Sequence, residues 1–492
     1  MGTFTRLGPV AALVGALACG PAAAAPPPCD FFCYMTAANK ASLVMLDEGG
    51  LLPPALARQI AVGIDRVAAE QEQPGAKRWT NYLDFEKRLL EVAGPEASRL
   101  HTGRSRQDLH ETVRRMLMRD AHLATLGALL DAQAELLGLA GRHVGTVIPA
   151  YTHGVQAQPT TLAHYLLAYS EALGRDADRL RELYPRLNRS PLGAAALGTS
   201  GFAIDRERLA ALLGFAGPVE NSYDANLLSS ADVKIEFANV LANSAIHVGQ
   251  FTQDLHAQYR EARPWMLVDA STTDISSIMP QKRNPRPVDR LRSAATDVVA
   301  TAQAVTLAAH NTNTGMNDYR GTEPLFAVTD AAGDMYASWA KLLGGLRVDP
   351  AAALEVIAGD YSTMTEVADT LLREADIPFR VAHHYASELT DYGRTQGKRP
   401  DQLTDTEITR VYQQANGTAL PVAPGVIRDA MDPVKMVASR RGLGGPQPAE
   451  VRRMLAAQTT GLAAQRAWLE AETRRLASAA ASLEEAFDAA AQ

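Results

Sequence analysis

The chain has 492 residues, enough for a large buried core and for two to four domains, so a small disulfide-stapled scaffold is excluded. It carries 48 basic and 55 acidic residues without a basic block, which argues against a nucleic-acid-binding surface. Aromatic residues make up only 6% of the sequence, alanine and leucine are abundant, and strand-like alternation is scarce. These features predict an all-α protein.

The first 25 residues have the composition of an export signal. One arginine precedes an apolar run at 10–18, and small residues then lead into a proline run. The pattern predicts cleavage near Ala25 and a periplasmic or secreted protein that has no membrane segment once the signal is removed. A leader on a cytoplasmic protein is the alternative. After cleavage, Cys29 and Cys33 would remain as the one pair able to oxidise.

Long helix-forming segments fill most of the remaining chain. Apolar side chains recur in them every three or four residues, a spacing that places these side chains on one face of a helix. Helices this long need partners for their apolar faces, which suggests packing between subunits. The main expected segments are 37–50, 106–144, 160–187, 224–260, 286–310 and 324–345.

The spacing of turn residues suggests three domains after the signal at 1–25. We predict an N-terminal helical domain over 26–107, a central bundle of long helices over 108–360 and a C-terminal helical domain over 361–492.

Three polar loops interrupt this helical pattern. The densest is "SSIMPQKRNP" at 276–285, where hydroxyls, cations and an amide lie between prolines that prevent a helix. The other two are "HTGRSRQD" at 101–108 and "YTHGVQAQP" at 151–159. Any one of these side chains alone would be read as an ordinary turn or cap residue. All of them together favour a chemical role.

The three loops resemble, in the same order, motifs of the argininosuccinate lyase family in the fumarase/aspartase superfamily. Those motifs are G-S-S-x-M-P-x-K-x-N-P, H-T-G-R-S-R-N-D and Y-T-H-x-Q-x-A-Q-P; Ile275 and Gln107 are the departures from the glycine of the first and the asparagine of the second. Weaker likeness runs from about residue 35 to residue 395. The resemblance implies a three-domain, fumarase/aspartase-type all-α fold. It also implies a homotetramer whose active sites combine loops of three subunits.

The resemblance also implies β-elimination from a substituted succinate, without metal or organic cofactor. Ser276 would remove the Cβ proton, and Lys282 and Asn284 would stabilise the doubly charged carbanion through fixed donors. His153 would act on the leaving-nitrogen side with Asp289, which aligns with a glutamate when "NPRPVDRLR" is set against N-P-D-S-L-E-L-I-R. The eleven histidines show no H-x-x-x-H or cysteine-paired spacing, so no metal site is predicted.

Further side chains in or near these loops are expected to bind the substrate. Hydroxyls, backbone amides and a guanidinium at the start of a helix are suited to hold a carboxylate. The predicted binding residues are Thr102, Ser105, Arg106, Gln107, Thr152, Gln156, Ser277, Met279, Asn284, Tyr319 and Arg320.

The residues expected to bind the amine half of the substrate differ from those of the family. Argininosuccinate lyases carry Y-N-K-D-M-Q-E-D-K-E-P where this chain reads "TGMNDYRGTEP", so a tyrosine, a glutamine and a lysine become Thr314, Tyr319 and Thr322. Loss of the lysine removes a point charge for a substrate carboxylate, and Arg320 is a candidate replacement. We therefore predict a carbon–nitrogen lyase that splits an N-substituted aspartate, argininosuccinate-like or an aminopolycarboxylate, into fumarate and an amine.

Two alternatives stay open. A true argininosuccinate lyase would keep the usual substrate through compensating contacts. A non-catalytic structural homologue would keep the bundle alone, although it would have no packing reason to retain the polar loops. The form "HTGRSRQD" makes a fumarase or an aspartase a weaker candidate.

Overall fold

A computed structural model describes residues 29–315 and 323–492 of the chain. The predicted export signal, Tyr319, Arg320 and Thr322 lie outside the described residues. Within them the prediction of an all-α fold is confirmed, because seventeen α-helices account for nearly all regular structure. The helices are α1 (Phe31–Glu48), α2 (Pro54–Gln71), α3 (Tyr82–Ala93), α4 (Arg106–Arg142), α5 (Leu162–Leu187), α6 (Arg206–Leu212), α7 (Ser222–Leu227), α8 (Ser229–Gln258), α9 (Arg286–Ala309), α10 (Glu323–Gly344), α11 (Pro350–Ala358), α12 (Met364–Ala375), α13 (Phe379–Thr395), α14 (Asp405–Asn416), α15 (Pro424–Met431), α16 (Pro433–Ser439) and α17 (Pro448–Ala491).

The described residues also form three small antiparallel sheets of two strands each. Strand β1 pairs with β2, β3 with β6, and β4 with β5. The strands are β1 (Val147–Thr152), β2 (Val155–Thr161), β3 (Met266–Val268), β4 (Asp274–Ile275), β5 (Arg283–Asn284) and β6 (Leu346–Val348).

Two segments differ locally from the sequence-based expectation. The break between the two long helices is a β-hairpin, β1–β2, whose first strand is rich in residues that favour extended backbone and buries Val147 and Ile148. The expected helix over 224–260 is divided at Leu228 into α7 and α8. There the Asp224 carboxylate accepts from the Ser229 backbone N–H at 3.1 Å. This bond gives a partner to one of the backbone N–H groups that have none within the first turn of α8.

The central bundle is built from α4, α5, α8, α9 and α10, and hydrogen bonds fix their directions. Gln133 donates to the Ser170 carbonyl at 2.9 Å and His122 donates to the Leu180 carbonyl at 2.8 Å, so α4 and α5 run antiparallel. Their apolar faces enclose the largest core of the described chain, which includes the fully buried Trp339 of α10. Burial of these faces is the main driving force for the bundle.

Buried arginines on α4 join the bundle to the loops at one end. The Arg115 guanidinium is fully buried and donates to the Arg186 carbonyl at 3.1 Å and to the Ser229 carbonyl at 2.9 Å. It therefore connects the start of α4 to the end of α5 and the start of α8. Charged donors satisfied by carbonyls in this way hold loops rigidly, since an unpaired buried guanidinium would be costly.

Two further cores flank the bundle. One joins α1–α3 and the start of α4 to α6 and the last turns of α17, and the other packs α12–α15 together. Helix α17 lies within the predicted C-terminal domain, yet it packs along α4, α5, α1 and α2. The predicted domain boundaries stay predictions.

Helix α4 is long and apolar enough to cross a bilayer by length and composition. In this structure it packs against α5, α10 and α17, so these features belong to a helix at the centre of a bundle.

Candidate active site

The loop "HTGRSRQD" ends in a well-formed cap of α4. The Ser105 hydroxyl accepts from the Gln107 backbone N–H at 3.2 Å, and the Asp108 carboxylate accepts from the Ser105 backbone N–H at 2.8 Å. This reciprocal arrangement is a capping box. Thr102 donates to the Arg99 carbonyl at 2.7 Å, and Arg106 is exposed on the first turn of α4. The helix dipole makes this turn a favourable place for a substrate carboxylate.

Two motif residues that the sequence analysis passed over anchor this loop from behind. Arg104 is buried, donates to the Ser42 hydroxyl of α1 at 2.9 Å and lies 4.8 Å from the centre of the Tyr82 ring. His101 stacks on Tyr82 as well, and burial lowers the pKa of His101 to about 4, with the Arg104 charge adding to the shift. A neutral imidazole and a buried guanidinium thus give the loop rigid support.

Asp108 carries a second connection that the sequence analysis also missed. Its Oδ2 accepts backbone N–H bonds from Gly193 and Ala195, each at 2.9 Å. Both residues have positive φ, +83° and +54°, so the segment they form is sharply turned. Burial raises the pKa of Asp108 to about 6 despite these donors. The motif "HTGRSRQD" itself was the signal that could have singled out this aspartate.

The turned segment that contains Gly193 and Ala195 is hydrogen-bonded to α7, and α7 in turn contacts Thr314. Asn226 of α7 donates to the carbonyls of Ala195 and Ala196 at 2.8 and 2.9 Å. At the start of the same helix the Tyr223 hydroxyl lies 2.8 Å from the Thr314 hydroxyl. The predicted carboxylate-binding loop and the altered amine-side position are therefore joined by one chain of hydrogen-bonded elements.

His153 lies at the tip of the β1–β2 hairpin. Thr152 pairs with Val155, which leaves His153 and Gly154 as a two-residue loop, with φ of +54° and +76°. Positive φ at both central positions is the type I′ turn that suits a hairpin. The imidazole and the Thr152 hydroxyl are held out on an exposed tip. Gln156, by contrast, is turned towards the C-terminal region, where it donates to the Ser362 hydroxyl at 2.9 Å.

The loop 276–282, which we call the signature loop, projects from the β4–β5 hairpin. Ser276 is half-buried, and its hydroxyl accepts backbone N–H bonds from Met279 at 3.1 Å and Ile278 at 3.4 Å. Two amide donors aimed at this oxygen favour a negative charge on it. Ser277 and Lys282 are exposed, and Asn284 lies half-buried on β5 at the base of the loop.

Asp289 lies on the first turn of α9. Within one chain its carboxylate is 4.0 Å from His256 Nε2 on the last turn of α8. Its predicted partner His153 is on the hairpin at the same end of the bundle.

The bundle keeps the predicted site residues at two separate ends. The start of α4, the end of α5 and the start of α8 meet at what we call the Ser105 end, together with Thr314. The end of α4, the start of α5, the end of α8 and the start of α9 meet at the His153 end, which carries the signature loop. The 37 residues of α4 span about 55 Å, so the two groups are far apart in one chain. A site that uses both ends must combine different chains.

The cavities of the single chain agree with this division. Two cavities, of about 990 and 670 Å³, are lined by residues such as Arg78, Glu72, Trp468 and Glu472 and by none of the predicted site residues. Among residues 29–315 and 323–492, no group of three or more His, Cys, Asp and Glu side chains is arranged to hold a metal ion.

Comparisons with known proteins assign the family. A lyase family model matches residues 36–300, and a model of the argininosuccinate lyase C-terminal region matches residues 361–438. The chain belongs to the argininosuccinate lyase family of the fumarase/aspartase superfamily. It is 31% identical to argininosuccinate lyase of Methanosarcina acetivorans over 92% of this chain and 90% of that protein. It is 35% identical to argininosuccinate lyase 2 of Agrobacterium fabrum over 92% and 91%.

Solved structures agree with this family assignment. EDDS lyase in complex with formate, and an EDDS lyase variant with bound fumarate, each superpose with a TM-score of 0.85 at 31% identity, over 94% of this chain and 92% of theirs. A 3-carboxy-cis,cis-muconate lactonizing enzyme from Pseudomonas putida, at 20% identity and a TM-score of 0.67, shares the fold. This member of the argininosuccinate lyase family is therefore a carbon–nitrogen lyase that acts on a small-molecule substrate.

The buried carboxyl of Asp108 predicts a pH-dependent stability. The folded protein holds the Asp108 proton up to about pH 6, whereas the unfolded chain releases it near the ordinary value of 3.8. The stability of the wild type relative to Asp108→Asn should thus be greatest below about pH 4. It should fall by up to about 3 kcal/mol as the pH rises through 6. Urea unfolding at fixed protein concentration between pH 4 and 8 measures this difference.

The matched control is Asp405→Asn, which changes an exposed carboxyl on the first turn of α14. It measures how the loss of an exposed carboxyl changes the free energy of unfolding over the same range. A constant difference for Asp108→Asn would contradict the assignment of a raised pKa.

Proposed function

We propose that this lyase retains the family's chemistry on the fumarate half of its substrate and takes a changed amine half. The substrate class is an N-substituted aspartate, either an aminopolycarboxylate or an argininosuccinate-like compound. The observation that carries the proposal is the signature loop, where backbone amides converge on the Ser276 oxygen, and which also carries Lys282, with Asn284 at its base.

The proposed reaction is a β-elimination. Ser276, as the alkoxide favoured by the two backbone amides, takes the Cβ proton and becomes a neutral hydroxyl, and Lys282 and Asn284 stabilise the negative charge that moves onto the neighbouring carboxylate. The Cα–N bond then breaks, its electron pair leaves with the nitrogen, and the double bond of fumarate forms between Cα and Cβ. His153, oriented by Asp289, supplies a proton to the departing amine. The Ser105 end, with Thr102 and Arg106, holds a substrate carboxylate.

We propose a homotetramer in which each site combines loops of three chains. Support comes from the distance of about 55 Å between the Ser105 end and the His153 end within one chain. Exposed apolar side chains on the bundle and its loops supply further support, since they would be buried in an assembly. These are Ile246, Leu307, Tyr151, Val155 and Ile278.

The contact between Tyr223 and Thr314 is the structural basis for a changed amine side. Thr314 aligns with a family tyrosine, and here a phenol reaches the same position from α7. A hydroxyl pair at 2.8 Å can bind a polar amine product by donating and accepting hydrogen bonds.

A true argininosuccinate lyase is the second candidate. It is favoured by the 35% identity to argininosuccinate lyase 2 of Agrobacterium fabrum. The same catalytic groups would serve both substrates, so the amine side alone separates the two functions.

We also propose that the chain is exported. A disulfide between Cys29 and Cys33, whose Cα atoms are 5.4 Å apart, supports this proposal, because disulfides persist in oxidising compartments. An exported enzyme would meet extracellular aminopolycarboxylates and not the cytoplasmic pool of biosynthetic substrates.

Removal of the Ser276 hydroxyl should abolish turnover. We expect Ser276→Ala to lower kcat by at least about 100-fold, since the proposed base is lost while the loop backbone is kept. Fumarate release, followed by ultraviolet absorbance, measures the effect, and gel filtration with circular dichroism checks assembly and fold. Ser478→Ala, at an exposed position of α17 outside the predicted site, is the matched control. Turnover of Ser276→Ala at the wild-type rate would exclude Ser276 as the base.

The substrate is identified by comparing compounds that differ on the amine side. We expect fumarate release from an aminopolycarboxylate such as ethylenediamine-disuccinate at a higher kcat/KM than from argininosuccinate. Thr314→Tyr combined with Tyr223→Leu should shift the ratio towards argininosuccinate, because the phenol then comes from the position at which the family carries it. Efficient turnover of argininosuccinate by the wild type would favour the second candidate.

A shared site predicts complementation between two inactive variants. Arg106→Ala removes a group at the Ser105 end and Ser276→Ala removes one at the His153 end. When the two proteins are denatured and refolded together, mixed tetramers should contain some sites without either substitution and regain fumarate release. The same proteins refolded separately and then mixed serve as the control. Absence of any recovery in mixed tetramers verified by mass spectrometry would contradict sharing between chains.

A further inference from the structure

The two ends of the signature loop are joined by an ion pair. The Arg286 Nε on the first residue of α9 lies 2.6 Å from Oδ2 of Asp274 on β4. Asp274 comes just before the loop, and Arg286 follows soon after it. Both side chains are about half exposed, at 51% and 55%.

Apart from this ion pair, the loop is held by short-range contacts: the Ser276 hydroxyl accepts from the Ile278 and Met279 backbone N–H groups, and Arg283 donates to the Pro280 carbonyl at 2.8 Å. Its stem consists of two residue pairs, Asp274 with Asn284 and Ile275 with Arg283. So short a two-stranded hairpin is marginal by itself. The tip is highly exposed, with 82% of the Ile278 side chain accessible.

The chain before this stem is fixed independently. Strand β3 pairs with β6, and the Asp269 carboxylate pairs with Arg347. After the stem, α9 packs into the bundle through Val288 and Leu291. The remaining conformational freedom therefore lies in the segment between Asp269 and Val288, and Asp274 and Arg286 form their ion pair within this segment.

We propose that Asp274 and Arg286 form a clasp that positions the signature loop and, through it, Ser276, Lys282 and Asn284. The pair acts as a set of positioning residues, since it lies at the base of the loop. In the family pattern N-P-D-S-L-E-L-I-R an aspartate stands at the position of Arg286. Such an aspartate would repel Asp274, so the clasp is a feature of this chain. Its role in catalysis rests on the proposed function, whereas its role in loop order does not.

Hydrogen–deuterium exchange tests the clasp without any substrate. In Arg286→Ala and in Asp274→Ala, the peptide spanning 274–285 should exchange about two- to fivefold faster, the factor that loss of an exposed ion pair predicts. The charge-swapped pair Asp274→Arg with Arg286→Asp should return exchange to near the wild-type rate. Arg428→Ala is the control, because Arg428 and Asp405 form a pair of similar exposure, 48% and 51%, between α15 and α14.

Kinetics of the same variants separates positioning from substrate contact. If the pair positions the loop, kcat for fumarate release falls in both single variants and recovers in the charge-swapped protein. If Arg286 instead binds substrate directly, Arg286→Ala raises KM, Asp274→Ala has little effect and the swap does not rescue activity; that pattern overturns the proposal. Unchanged exchange in the single variants also overturns it. Failure of the wild type to release fumarate would reject the proposed function, while the exchange data still decide the clasp.

Discussion

The antiparallel packing of α4 against α5 is the constraint on which the rest of the molecule depends. It fixes which loops share an end of the bundle, because a helix of 37 residues carries its two termini about 55 Å apart. Buried polar contacts such as His122 to Leu180 and Arg115 to Ser229 set the register as well as the direction. This packing determines at which end of the bundle each predicted functional residue lies.

Within each motif, some residues hold the loop in place and others present exposed polar groups. In "HTGRSRQD" the buried Arg104 and Asp108 and the half-buried His101 hold the loop, while Arg106 is left exposed. In the signature loop the backbone amides are directed at Ser276, and the Arg286–Asp274 pair lies at the base. Rigid elements thus present exposed polar groups, the arrangement that a preorganised site requires.

Changes in the amine side are compatible with an unchanged core. Thr314 and Tyr223 lie outside the apolar core, so a substitution at either position leaves the apolar faces of α8 and α9 intact. A fold whose catalytic loops are held by buried contacts can therefore change its amine specificity at few positions.

The sequence by itself determined the helical class, the bounds of α4, α5, α9 and α10 to within about two residues, and the three polar loops, because helical periodicity and proline placement are local properties. It also supplied the motifs that gave Ser276, His153 and the capping residue Ser105. The tertiary structure decided what depends on contacts distant in sequence. Asp108 reaches Gly193, Tyr223 reaches Thr314, and Gln156 turns towards Ser362. No local pattern encodes these pairings, since they arise only when the packed helices bring separate loops to the same end of the bundle.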